Sequence, residues 1–358
     1  MNQRPLVIVH ALALVAPDRE QGGPSGGNGR GETERCRLLP INIPAARCSE
    51  RPHSTAEHTA CTPCGSKVRV FSGLRRNRSR RPGPDVMSTI KEVAVESQFD
   101  TVVAAYEQSM EAMPFREHVE AHSFLRAVGD VTGQSVLDLG CGSGLYARRL
   151  RAAGATRVVG MDESTAMVDY ARQREEREGL GVEFLAANAA DPAAGALPGI
   201  SGVFDVVTAV YVLPYAPTLT ALQGFCATAR RALRPRGGRF VAAVLNPGFS
   251  TDPDWYRRYG MELSAQQPSS EGAPGHLKAW VGDEVLDVDF FCWSAAAHEH
   301  ALRAAGFGRI AWIRPQVSEQ GRKAYGDAFW TNYLDCPHAL LLHAQAGPRA
   351  ELASPIPQ

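Results

Sequence analysis

An α/β fold built on a parallel sheet is what this chain of 358 residues predicts, and three observations carry the prediction. From residue 97 onward, apolar runs of strand length alternate with segments of helical periodicity, the βαβ order that builds a parallel sheet. The run Val136-Leu-Asp-Leu-Gly140-Cys-Gly-Ser-Gly144 reads as a buried strand ending in a turn free of side chains that opens a helix. Asp162 closes the next apolar run, where a carboxylate can accept both hydroxyls of a ribose.

Helical periodicity covers 97–112 and 116–128, and Ser135-Val-Leu-Asp-Leu139 is the first strand. A helix over 144–153 leads to the second strand, Arg157-Val-Val-Gly-Met161, and a helix over 164–177 leads to a third strand at 182–186. The apolar stretch 203–209 is a fourth strand, followed by a helix over 218–232 that Pro235 and Gly237-Gly238 stop before a fifth strand at 238–244. A helix over 295–305 ends at Gly306, a C-cap position, and strands at 308–314 and 338–344 complete seven. No internal repeat is present.

Asn246 to Trp293 reads as one long connection carrying Trp255, Tyr256, Tyr259, Trp280 and Trp293. Long connections in a compact fold are usually functional lids, and aromatics suit a flat, partly apolar acceptor. Trp255, Tyr256 and Trp293 are therefore the expected substrate contacts.

Net charge is zero, yet residues 1–87 hold 14 Lys and Arg against 7 Asp and Glu, a surplus that the remaining residues cancel. That segment has one aromatic, Phe71, so it lacks the apolar surface to offset its chain entropy. Residues 1–86 are expected to be a disordered basic extension, with Met87-Ser-Thr-Ile-Lys resembling a translation start, 87–345 the folded domain and 346–358 a disordered tail. The apolar stretch 6–16 has the length of a signal-peptide core but is interrupted by His10. The run Leu74-Arg-Arg-Asn-Arg-Ser-Arg-Arg81 lacks interleaved aromatics and reads as solvated, not as a nucleic-acid surface. His53, His58, Cys61 and Cys64 have zinc-like spacing with one Cys-x-x-Cys pair, too little for a metal site. The other cysteines are scattered, as in reduced proteins. No apolar run reaches the length of a membrane span.

The glycine spacing separates two nucleotide families. A nicotinamide-binding Gly-x-Gly-x-x-Gly turn would need its third glycine at 145, where Leu145 stands. The observed Asp-x-Gly-x-Gly-x-Gly instead resembles motif I of the class I S-adenosylmethionine (SAM) dependent methyltransferases. SAM brings an ammonium and a sulfonium where a dinucleotide brings pyrophosphate, so Asp138 is welcome beside the turn.

The resemblance covers residues 97–345 and implies a Rossmann-like, seven-stranded, mostly parallel sheet with helices on both faces. It implies SAM as cofactor, S-adenosylhomocysteine as product and a small-molecule acceptor methylated on N, O or C. Asp138, Gly140, Cys141, Gly142 and Gly144 form the cofactor turn, and Asp162 takes the ribose. Met161, Ser164 and Met167 line the adenosine, with Asn188-Ala189 standing where the family usually has Asp-Ala against adenine. Val210 and Tyr211 end the fourth motif, facing the methyl. Phe99-Asp-x5-Tyr106-Glu107 resembles a lid helix whose tyrosine, Tyr106, reaches the cofactor carboxylate.

The insert, with Trp312-x-x-Pro315-x-Val-Ser-x-x-Gly321 and Phe329-Trp330-x-x-Tyr333-Leu334-x-x-Pro337, resembles the toxoflavin synthase-like branch of specialised metabolism. The implied location is cytoplasmic, where SAM is made. Tyr211 and His298 are the candidate catalytic bases, with His300 beside them. Thr208-Ala-Val-Tyr-Val lacks the carboxylate cluster of metal-assisted methylation. A non-catalytic SAM-fold binding or regulatory protein is the alternative class.

Overall fold

The computed structural model describes residues 103–235 and 237–347. The basic extension, the His53 to Cys64 group, the Met87 start and residues 348–358 lie outside the described residues. In chain order the elements are α1 Val103–Ala112, a π-helical turn Arg116–Ala121 running into α2 His122–Val128, β1 Ser135–Leu139, α3 Leu145–Ala152, β2 Arg157–Asp162, α4 Thr165–Glu178 and β3 Val182–Ala186. They continue with β4 Val206–Val210, α5 Leu219–Ala232, β5 Arg239–Leu245, β6 Met261–Ala265, β7 Ala273–Val281 and β8 Glu284–Cys292. The last are α6 Ala295–Ala304, β9 Phe307–Ile313, α7 Glu319–Tyr325, α8 Asp327–Asp335 and β10 Ala339–Ala346.

Seven strands form one sheet in the order β3-β2-β1-β4-β5-β10-β9, with β10 antiparallel to both neighbours. The order reverses between β1 and β4, which pair in parallel, so a crevice opens beyond their carboxyl ends. Strand alternation sends Val136 to one face, with Phe124, Tyr146 and Leu150. Leu137 and Leu139 go to the other, with Leu222, Cys226 and Leu302. Serine and threonine caps start the helices behind the crevice: Ser164 Oγ accepts from Met167 N at 3.1 Å, and Thr218 Oγ1 accepts from Ala221 N at 3.2 Å.

The insert departs from the expectation of a lid without sheet. It folds into a second, antiparallel sheet in the order β6-β7-β8. Leu286, Val288 and Phe290 alternate with Val285, Asp287 and Asp289 along β8, the period of a half-buried strand, and Gly282-Asp283 is a two-residue hairpin loop between paired Val281 and Glu284. Two further helices, α7 and α8, occupy the stretch before β10. That strand reaches Ala346, so the expected tail cannot begin at 346. Among the described residues no helix is long and apolar enough to cross a membrane.

Candidate functional site

A cavity with about 1290 Å³ of empty space, its open mouth included, runs from the carboxyl ends of β1 and β2 to the inner face of the β6-β7-β8 sheet. At its first end Gly142 is left-handed at φ +52°. A Cβ there would stand 3.5 Å from the Tyr106 ring and 3.9 Å from Met167 Sδ, within ordinary contact but inside the cavity. Asp162 ties the turn to α4, accepting from Gly142 N at 2.8 Å and Ser164 N at 2.9 Å. Asn188 and Ala189 line the same end, and Asn188 Oδ1 accepts from Ala190 N at 2.7 Å.

These residues fit the cofactor that the turn implies. The glycine edge leaves a cradle that a side chain would fill, and Asp162 brings a carboxylate, an acceptor for hydroxyl groups, into the same wall. Tyr106, Gly140, Gly142, Asp162, Met167, Asn188, Ala189 and Val210 all stand in the wall, where they would hold it.

Three expected turn residues lie behind that wall instead. Asp138 is buried and its Oδ1 accepts from Thr208 Oγ1 at 2.7 Å. Burial pushes its carboxyl up to about 7, with the Thr208 hydrogen bond opposing and Asp162 adding to the rise. Cys141 is buried too, and burial holds its thiol well above the usual range. Gly144 packs where a Cβ would meet the Phe184 ring at 2.5 Å. The three shape the turn and do not reach the cavity.

Where the two ends of the cavity meet, a buried polar cluster gathers around Glu120. Its Oε1 accepts from Tyr146 at 2.7 Å, and its Oε2 accepts from Tyr211 at 2.8 Å. Arg116, one helical step before it, lies 3.6 Å from Oε1 and 5.0 Å from the centre of the Tyr106 ring. Against the burial that opposes it, the Glu120 carboxylate holds the Arg116 guanidinium above its usual range. The π-helical turn presents both residues inward; such turns are rare and concentrate at functional sites. His338, just before β10, stands 2.9 Å from the Tyr211 hydroxyl through Nε2 and 2.9 Å from the Tyr333 hydroxyl through Nδ1.

Sequence reasoning missed Arg116, Glu120 and His338. The first two are a charged pair four apart in a stretch read only as a helix. The third was absorbed into a strand. Beyond them the wall is apolar, made by Met261, Leu277, Leu286, Val288 and Phe290 of the second sheet with Phe115 opposite.

The expected substrate contacts are elsewhere. Tyr256 is fully buried, its hydroxyl donating to Cys336 O at 2.9 Å and accepting from Ser250 N at 3.0 Å. Trp255 donates to Asn332 O at 3.1 Å, and Trp293 donates to Ala216 O at 3.0 Å. None lines the cavity; all three join segments of chain. His298 is buried against Trp312, with Nδ1 2.9 Å from Ser294 O, and burial lowers its pKa. His300 is exposed on α6. Neither histidine reaches the cavity, which leaves Tyr211 of the expected bases.

Residues 136–237, from β1 to the loop before β5, match the methyltransferase domain family. A demethylmenaquinone methyltransferase of Lactococcus lactis is 34% identical over 160 residues, spanning 43% of this chain and 60% of that protein. One from Clavibacter sepedonicus is 29% identical over 273 residues, spanning 70% and 97%. A ubiquinone biosynthesis O-methyltransferase of Actinobacillus pleuropneumoniae is 30% identical over 112 residues, spanning 31% and 46%. The chain thus covers less than two thirds of two of these three relatives. The stretch matching methyltransferase domains holds both the glycine turn and Asp162, so family match and site geometry meet in one segment: the chain carries a methyltransferase domain, with S-adenosylmethionine as its cofactor.

Proposed function

We propose that the protein methylates a small, largely apolar acceptor held between the end of the seven-stranded sheet and the inner face of β6-β7-β8. One observation carries this reading: the cofactor end and the apolar wall belong to a single cavity. When bound, SAM supplies an electrophilic methyl on its sulfonium. The chain's part is to place acceptor and cofactor together and to keep water out, which the apolar wall favours.

The relatives named for demethylmenaquinone and for ubiquinone biosynthesis support an acceptor of that kind, and demethylmenaquinone is one candidate occupant. The toxoflavin synthase-like features of the insert and α8 support a product of specialised metabolism as another. The test is transfer of tritium from methyl-labelled SAM into a metabolite extract. Label is expected in a compound that partitions into organic solvent. Label confined to water-soluble products, or none at all, overturns the proposal.

A further inference from the structure

Tyr211 carries backbone strain. It is the one non-glycine among the described residues with a left-handed conformation, φ +56°, and its N–H donates to Ala243 O at 2.9 Å. Strain of this kind persists where the surroundings over-determine it, which is most often at a functional site. Here the surroundings are Glu120 and His338, which grip the phenol oxygen at 2.8 and 2.9 Å. All three residues line the cavity.

The partners set the direction of each hydrogen bond. Glu120 pairs with Arg116 and takes the Tyr146 hydroxyl, both through Oε1, so it is a buried carboxylate that only accepts. Tyr211 must then donate to Glu120 and accept from His338 Nε2–H. That leaves Nδ1 of His338 to accept from Tyr333, as its 2.9 Å contact allows. Burial, and after it the Arg116 guanidinium, holds the imidazole down to about 3, so it stays neutral with one N–H. The phenol oxygen retains capacity for one more donor. Tyr106, Tyr146, Tyr215, Tyr256 and Tyr333 are other titratable groups facing the cluster.

We propose that Tyr211 and Glu120 accept the proton of an acceptor bearing a weakly acidic hydroxyl of the phenol or enol type, with His338 as the positioning residue. The proposal rests on the methyl transfer put forward above and narrows its substrate class. The acceptor's O–H bond breaks as a new one forms on Tyr211, and Tyr211's own O–H breaks as its proton bonds to Glu120 Oε2. The acceptor oxygen keeps the electron pair, whether the methyl ends on that oxygen or on a carbon its charge reaches. His338 stays neutral throughout. Neutralising Glu120 as the sulfonium loses its charge leaves the net charge of the site unchanged, with the Arg116 guanidinium as the cation that remains. Burial first, and Glu120 next, keep the Tyr211 phenol well above its usual range, which suits a group that passes a proton on without holding a phenolate.

The probe is 4-nitrophenol, whose phenolate absorbs where the phenol does not. It is added to the full chain saturated with sinefungin, a cofactor analogue with an ammonium near the sulfonium position, at a pH below the probe's own pKa. Wild type is expected to hold the probe as phenolate. Tyr211→Phe and Glu120→Gln each lower the bound phenolate fraction roughly tenfold or more, with sinefungin affinity unchanged. His338→Gln, which keeps a donor for Tyr211, retains the phenolate, and His338→Leu loses it. Should Glu120→Gln fail to fold, Tyr211→Phe removes a single oxygen and carries the test. Binding of the neutral phenol by wild type, no binding of the probe, or a phenolate that survives Tyr211→Phe overturns the proposal. Calorimetry with sinefungin on the same samples tells the two failures apart, because loss of that binding overturns the methyl-transfer reading as well.

Discussion

Gly140 and Gly142 both take left-handed backbone, yet they are glycines for different reasons. A Cβ on Gly140 would lie 2.2 Å from Val212 Cγ2, a clash within the fold, whereas on Gly142 it would only occupy cofactor space. Asp138, two residues before Gly140, faces the opposite problem, a carboxylate without water. Its carboxyl rises from 3.8 to about 7 on folding, so folding favours the protonated form. The stability that form contributes is fully present below about pH 4 and is lost as pH rises through about 7. Asp138→Asn keeps an oxygen for Thr208 and cannot ionise. Melting curves of the cofactor-free protein from pH 4 to 8 should show the variant with a weaker pH dependence and a higher melting temperature at neutral pH. Equal slopes for the two proteins would mean that Asp138 is not the group responsible.

The second sheet is the element that changes the reading of the insert. Its aromatics were expected to touch the acceptor, but Tyr256 and Tyr259 are buried in the cluster that binds the insert to α8, with Trp330 and Tyr333. The wall proposed for the acceptor is left to Met261 of β6, Leu277 of β7 and Leu286, Val288 and Phe290 of β8. Tyr256→Phe removes the partner of both Ser250 N and Cys336 O, which costs about 1–2 kcal/mol. At roughly 2–4 °C per kcal/mol, melting should fall by a few degrees while the acceptor's KM holds. A raised KM with unchanged stability would return Tyr256 to the acceptor site.

One cavity joining two kinds of wall implies a division of labour across the molecule. The cofactor end is built by the carboxyl ends of β1 and β2 with α1 over them, where Glu107 pairs with both Arg148 and Arg174. The apolar end, proposed for the acceptor, is lined by β6-β7-β8. Asp162→Ala, losing charge-assisted hydrogen bonds, should weaken S-adenosylhomocysteine binding by about 2 kcal/mol, roughly thirtyfold. Leu277→Ala should leave that affinity alone and raise the acceptor's KM. Calorimetry and label incorporation read the two effects separately. A Leu277 variant that loses the cofactor would show that the ends are coupled.

How much was legible follows from the range of the interactions. The strand β1, its glycine turn and Asp162 could be read directly, because each depends on neighbours within one βαβ unit: apolar periodicity, a backbone that only glycine adopts cheaply, and an acid at a strand end. β8 was legible in principle, since Leu286, Val288 and Phe290 alternate with polar positions, but the Trp and Tyr residues beside it drew the stretch toward a lid. Arg116, Glu120, Tyr211 and His338 could not have been grouped from spacing. They come from a π-helical turn, the end of β4 and the start of β10, and only the pairing of β10 beside β5 brings His338 to Tyr211. Local chemistry thus determined the fold class and the cofactor. The proposed acceptor site required the tertiary structure, because a buried hydrogen-bonded cluster is built from residues far apart in the chain and satisfied only when the sheet has closed.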